Sequence, residues 1–429
     1  MRILIYGINF SPELTGIGKY TGEMAAWLAA RGHQVRVVTA PPYYPDWQVW
    51  AGFSGWRYRV QDEAGGSLRV VRCPLWVPAR PSGLTRLLHL ASFALSSLPV
   101  LLWQARWRPE VVFAAAPPLF CAPGTWLAAR LSGGRAWLHI QDYEVDAAFE
   151  LGLLKGARLR RVVLAGERWL LRRFDRVSTI SRRMLALAQA KGVAAERLVL
   201  FPNWADVLAI QPTGPKVPGG TQSAGAPRVL PSGRADGTAP NAFRAGLQIG
   251  PAALVALYSG NMGKKQGLEI LAEAAARLQN TPGLVFVFCG NGAGRADLAA
   301  RCAGLPNVRF MDLQPLARLG ELLAMADIHL LPQRADAADL VMPSKLTGML
   351  ASGRPVVATA QADTELAEAV AGCGLVTPPG DAIAFAAAIA HLAQDAPLRA
   401  RLGAAARDYA VRHLDRDAIL GRVEAEFKG

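Results

Sequence analysis

Three loops in this chain combine glycine with groups suited to holding an anion. The first, NFSPELTGIGKYTGE, follows an apolar run; Gly16 and Gly18 let the backbone approach a ligand, and the free amides of a helix start favour negative charge. It matches neither G-x-G-x-x-G nor G-x-x-x-x-G-K-[ST], which argues against a simple dinucleotide fold or a P-loop. The second, YSGNMGKKQGLE, brings Lys264 and Lys265 to a glycine turn, where they are either phosphate contacts or solvated residues at a helix start. The third, DLVMPSKLTGMLASGRPVVAT, starts a helix at Pro343 and Ser344 with Lys345 in its first turn. A cation there opposes the helix dipole unless an anion lies beside it, so Lys345 reads as the leading phosphate contact.

A second group, His139, Asp142 and Glu144, is read as following the strand AWLHI, which would put all three near a cleft beyond the strand ends. A carboxylate at that place would orient an acceptor hydroxyl or stabilise an oxocarbenium-like transition state. Each of the three also has a structural reading, as a cap or an interdomain contact, and Asp142 is the first to mutate. The six histidines show no H-x-x-x-H spacing, and the D-x-D at Asp415–Asp417 falls in a helix-like segment where a solvated face is expected. Neither a metal nor a cofactor is expected.

The elements that must position these residues are legible as short apolar runs at residues 3–6, 35–39, 68–71, 111–114, 137–140, 177–180 and 198–201, separated by helix-length stretches. The pattern repeats at 254–258, 284–289, 308–310, 328–331, 356–359 and 375–376. Such alternation predicts α/β architecture with parallel sheets, whose ligands sit beyond the carboxyl ends of the strands. Between the two series, residues 213–240 are dense in Gly, Pro, Ser and Ala and cannot offset their ordering entropy by burial, so a disordered insertion is expected there. The expected division is residues 1–205, a linker at 206–245, a second domain at 246–405, and a last helix at 406–429 packing back on the first domain.

Composition agrees with this plan. A length of 429 residues exceeds one compact core at roughly 150 residues per domain, and 52% hydrophobic residues with mean hydropathy +0.19 exclude global disorder. Five cysteines far apart, with no C-x-x-C, exclude a disulfide framework and imply a reducing compartment. The net charge of +14 implies an anionic partner. Residues 84–103 have the length of a bilayer span, yet they carry Arg86, His89 and Pro99 and sit between sheet strands, so a buried or lipid-touching helix is expected instead. Ten Lys and Arg lie between residues 155 and 183. Neither a zinc-finger spacing nor an RNP-like motif accompanies this charge, which excludes nucleic acid and leaves peripheral docking on an anionic membrane.

Taken together, YGINFSPELTGIGKYTGEMAAWLAARGHQVRVVTAPPYYP, LHIQDYEVDAAFELG, YSGNMGKKQGLE, FCGNGAGR, PSKLTGMLASGRPVVAT and GLVTPPGD resemble the retaining family 4 GT-B glycosyltransferases, in particular the colanic-acid type of bacterial exopolysaccharide transferase. The resemblance implies two Rossmann-like domains facing across a cleft and a metal-independent transfer. The donor would be a UDP- or GDP-sugar, GDP-fucose among them, and the acceptor a polyprenyl-diphosphate-linked saccharide at the inner face of the cytoplasmic membrane. It implies that Gly16, Gly18, Asn261, Lys264, Lys265, Ser344, Lys345 and Glu365 meet the donor. It also marks departures: Asn261 and Gln266 stand where many members carry arginine and lysine, and Leu340 and Gly348 stand where they carry paired glutamates. The alternative is a catalytically silent GT-B scaffold or nucleotide-binding protein of a membrane polysaccharide assembly.

Overall fold

The computed structural model describes all residues except 14–15, 81, 117–118, 144–155, 212–240, 264–265 and 335–341. Its first sheet contains β1 (Arg2–Tyr6), β2 (Gln34–Thr39), β3 (Arg59–Glu63), β4 (Leu68–Arg72), β5 (Val111–Ala116), β6 (Arg135–Ile140), β7 (Arg176–Thr179) and β8 (Leu198–Leu200). They are ordered β3-β4-β2-β1-β5-β6-β7-β8. All neighbours pair parallel except β3 with β4. The central strands read as unbroken apolar runs because helices cover both faces, and every residue of β5 is buried. β3, RVQDE, is the strand that apolar runs do not reveal: it is an antiparallel edge with both faces wet.

The second sheet is wholly parallel: β9 (Leu254–Ser259), β10 (Leu284–Cys289), β11 (Val308–Met311), β12 (Ile328–Leu331), β13 (Val356–Thr359) and β14 (Gly374–Thr377), in the order β11-β10-β9-β12-β13-β14. In each sheet the order reverses beside the first strand, at β1/β5 and at β9/β12. That is where a crevice opens beyond the strand ends in doubly wound sheets.

Helix α1 (Gly16–Ala30) follows β1, α2 (Gly83–Gln104) follows β4, and α3 (Ala122–Ser132) follows β5. Helix α2 buries His89, Phe93, Ser97 and Leu101, one residue per turn, against the first sheet. The last helix, Arg416–Lys428, leaves the second domain and buries Ile419, Leu420, Val423 and Phe427 in a cluster with Ile3, Phe113 and Trp137 of the first. Arg31 and His33 of the first domain hold it there by donating to the buried Glu424, which Lys428 also pairs with one turn on in the same helix. The proposed insertion at 213–240 lies outside the described residues.

Candidate functional site

The crevice is built from the loops that leave β1, β2, β6, β9 and β12. In the first of these, Glu13 is 3% exposed, and its Oε1 accepts the backbone N–H groups of Tyr43 and Tyr44 at 3.0 Å each. Its Oε2 accepts Asn9 Nδ2 at 2.9 Å. Burial raises the Glu13 pKa against the pull of those donors. Arg72 closes the arrangement by donating to Ala40 O and Ser11 O. The two glycines of this loop serve different ends. Gly16 adopts φ +60 at the start of α1. A Cβ on Gly18 would sit 2.7 Å from Glu13 Oε2, so this glycine makes room for a carboxylate of the chain itself.

In the second domain, Gly260 has φ +122, and a Cβ there would lie 2.7 Å from Lys345 Cε. Lys345 runs beneath the turn: its Nζ donates to the Tyr258 hydroxyl and, at 3.0 Å, to Asn261 O, and it lies 4.2 Å from the centre of the Tyr258 ring. Burial lowers its pKa to about 7. The ammonium is therefore satisfied from inside the fold, by a carbonyl, a phenol and an aromatic face, and it lies under the turn that would carry a phosphate. Met262 and Gly294 pin this turn to the β10 loop through Met262 N–Asn291 O and Gly294 N–Met262 O. Ser344 is the first-turn neighbour of Lys345; its side chain caps nothing, while its carbonyl accepts Tyr20 Oη of α1 at 3.3 Å.

The other sequence candidates separate. His139 lies within β6 rather than beyond it: it is 4% exposed, its Nδ1 shares a hydrogen bond with Ser178 Oγ, and the Phe113 and Phe201 rings pack on it. Burial pushes its imidazole down to about 3, so it is neutral and shut off from the crevice. Asp142 stands past the end of β6, half-buried, near enough to Tyr44 to influence its ionisation. Glu365 does not reach the donor loops: its two carboxylate oxygens accept Arg182 N at 3.0 Å and Arg183 N at 3.2 Å, at the start of the helix Arg182–Ala190 of the first domain. Glu144, Lys264 and Lys265 lie outside the described residues.

Two crevice residues went unread in the sequence. Glu13 and Tyr44 are visible there only as members of the longer stretches NFSPELTGIGKYTGE and TAPPYYP, with nothing to mark their side chains. Tyr44 Oη accepts Asn261 Nδ2 at 3.1 Å across the two domains. A cavity of about 330 Å³ lies farther along the second sheet, lined by Glu269, Glu273, Gln333, Arg334 and Thr359, with Arg334 3.6 Å from Glu269. Among the described residues, no three His, Cys, Asp or Glu side chains converge as a metal site.

Known proteins match along the whole length. Residues 15–204 match the family described as glycosyl transferase 4-like domain, and residues 253–395 match glycosyl transferases group 1. A protein of Escherichia coli (strain K12), named for colanic acid biosynthesis as the glycosyl transferase WcaI, is 46% identical over 437 residues that cover all of both chains. Among solved structures, the sucrose-phosphate synthase of Thermosynechococcus elongatus superposes with TM-score 0.72 at 17% identity, covering 100% of this chain and 98% of that one. Anabaena HepE, solved in complex with UDP-glucose, superposes with TM-score 0.66 at 17% identity, covering 100% and 99%. At such identities the two structures speak for the fold alone.

Proposed function

The chain belongs to the GT-B glycosyltransferases, and from that membership we propose that it moves a sugar from a nucleoside diphosphate onto a lipid-linked saccharide of a bacterial surface polysaccharide, in a pathway of the colanic-acid kind. The donor diphosphate seats on the Gly260–Met262 turn above Lys345. Reaction follows the retaining course implied by the family: the bond from the anomeric carbon to the phosphate oxygen breaks as the acceptor oxygen bonds on the same face, and the acceptor proton passes to the departing phosphate. No separate base is then needed, and the protein's task is to stabilise charge on the leaving oxygen. Asp142 is the carboxylate best placed to orient the acceptor, since it stands at the open end of β6 on the side of Tyr44.

The observation that carries the acceptor class is the outer face of α2. Leu84 is 70% exposed, Leu95 72% and Trp103 62%, with Leu87 and Leu88 beside them, although the opposite stripe of the same helix is buried. Helix α3, packed next to it, exposes Leu131, the turn before it exposes Phe120, and Arg173 stacks on Trp126 of α3 and on Trp169 of the helix Ala157–Leu171. That last helix presents Arg158, Arg161 and Arg168 outward. A continuous apolar layer flanked by arginines suits the interface of an anionic membrane, where a polyprenyl-linked acceptor resides.

Radiolabelled UDP- and GDP-sugars incubated with the protein and a membrane lipid extract test the reading: label should enter the lipid phase with one donor. Label released only as free sugar, or carried only onto water-soluble acceptors, would refute the lipid-linked acceptor. Sedimentation with anionic vesicles should show salt-sensitive binding that Leu87→Glu combined with Leu88→Glu abolishes. Unchanged binding in that variant would remove α2 from the docking face.

A further inference from the structure

Asn261 joins two groups of opposite origin. Its carbonyl accepts Lys345 Nζ from below, within the second domain, and its side-chain amide donates to Tyr44 Oη from the first. Tyr44 thereby has a lone pair engaged, while among the described residues no acceptor takes the phenolic proton.

That hydroxyl is held with care. Glu13 Oε1 binds the backbone N–H of Tyr43 and of Tyr44 at 3.0 Å each, so a buried carboxylate from the β1 loop sets the path of the chain into the phenol. Gly18 is kept without a side chain so that Glu13 fits. Burial, Asp142 and Glu13 raise the Tyr44 pKa and Arg86 opposes them, so the phenol stays protonated and able to donate. Its surroundings bring in the Arg86 cation from its own domain, and Asn261 ties it to the residue whose carbonyl holds Lys345 in the other. A fixed hydroxyl with an unclaimed proton, within reach of the Arg86 charge and at the lip of a turn read as a diphosphate seat, suits an anionic oxygen.

We infer that Tyr44 donates a hydrogen bond to a non-bridging oxygen of the donor diphosphate, reaching from the acceptor domain onto the second, and that Glu13 is the residue that positions it. The inference rests on the reading of the Gly260–Met262 turn as the diphosphate site. It adds a contact from the first domain that completes the site only when the two domains meet.

Titration calorimetry with UDP and GDP, and with uridine and guanosine as phosphate-free controls, tests it on the full chain. Tyr44→Phe keeps the ring and loses the hydroxyl, and with it the acceptor of Asn261; the preferred diphosphate should bind about tenfold more weakly, as expected for a hydrogen bond to a charged group, with nucleoside binding unchanged and the thermal midpoint lowered by no more than the loss of that one lip hydrogen bond. Glu13→Gln should weaken the diphosphate in the same selective way, and the double variant should be no worse than Tyr44→Phe, since both act through one contact. Diphosphate affinity equal to wild type in Tyr44→Phe would overturn the inference while leaving the diphosphate seat intact. So would a defect confined to the acceptor KM. Failure of the wild-type protein to bind either diphosphate would overturn the seat itself and this contact with it.

Discussion

Lys345→Met isolates the charge beneath the Gly260–Met262 turn proposed to seat the donor. Methionine nearly matches the length of the lysine stem and carries no proton, so the variant loses the ammonium and keeps the packing against Tyr258 and Gly260. In the wild-type protein without donor, burial takes the Lys345 pKa from 10.5 to about 7. A difference of 10.5 − 7 units, at ~1.4 kcal/mol each, makes the charged form costly by something on the order of 5 kcal/mol. A diphosphate seated on the turn offers the ammonium the counter-charge it lacks, so donor binding raises this pKa again and draws a proton from solution.

The sign of the effect follows. At pH 8 a lysine with a pKa of about 7 is roughly nine-tenths neutral, so binding there takes up close to one proton. The free diphosphate is itself deprotonated at that pH and adds little to the count. Wild-type affinity should be highest below pH 7 and fall by up to about tenfold per pH unit above it, until the raised pKa of the bound state is passed. Calorimetry in two buffers of different ionisation enthalpy reads the proton count directly. Lys345→Met should bind the diphosphate more weakly at pH 7, take up no proton, and show affinity that is flat between pH 7 and 9. The empty protein gives an independent check: between pH 7 and 10.5 the unfolded chain binds a proton at this residue that the folded one does not, so wild-type stability rises with pH through that window and the variant lacks this component. Absence of proton uptake in the wild type, or the same pH slope in the variant, would refute the argument.

Glu365→Ala removes the carboxylate that receives Arg182 N and Arg183 N; the helix Arg182–Ala190 keeps its own Ser181 cap, so the expected loss is about 1 kcal/mol of stability by thermal melt with donor affinity unchanged. A large loss of donor affinity without a stability change would return Glu365 to the donor site. Glu424 answers to acid. Burial raises its pKa, but hydrogen bonds from Lys428, His33 and Arg31 outweigh that and bring it to about 2. Because the folded pKa is depressed, this stabilisation is present above pH 4.5 and lost as the pH falls toward 2. Glu424→Gln should melt earlier than wild type at pH 7 and converge with it near pH 2; a gap that is independent of pH would show packing loss instead.

The fold was legible because parallel strands buried on both faces are written as apolar runs, and those runs need no partner to be recognised. β3 escaped for the converse reason: an exposed edge strand has no face to make periodic. Within the site, glycines and lysines announced the loops but not the direction in which each side chain turns. Lys345 does begin a helix, as Pro343 and Ser344 announce, yet the dipole argument pictures a bare cation, whereas Tyr258 and Asn261 are held to it by tertiary folding. Gly18 illustrates the same limit. Its smallness is visible in the sequence, and the object it makes room for, Glu13, becomes visible only when the loop closes on itself. His139 was read as lying past its strand because a sequence run does not mark which residue of AWLHI is the last to pair.

The way the chain crosses between its domains determines when each of these contacts acts. On the linker side, Ala205, Val207 and Ile210 pack with Leu346, Met349, Ala406 and Ala410, and Arg407 donates to Val207 O, Ile210 O and Ala351 O. The returning chain is tied where it passes, by Ala205 N–Leu414 O at 2.8 Å and Arg416 N–Ala205 O at 3.1 Å. Prying this region apart would expose a closed apolar cluster. The crevice lips are held differently, by Tyr20 on Ser344, Asn261 on Tyr44 and Glu365 on Arg182 and Arg183. Each of those hydrogen bonds is worth about 1 kcal/mol net, because water replaces the lost partner. Opening would therefore cost least at the lips and pivot at the crossing near Ala205. Lys345 and Asn261 O belong to the same domain and would stay together on opening, so on the proposed reading the donor would meet that half of the site first and Tyr44 would arrive on closure. A contact made after encounter slows escape more than it speeds arrival, so the loss in Tyr44→Phe should appear in the dissociation rate of the diphosphate, with the association rate little changed.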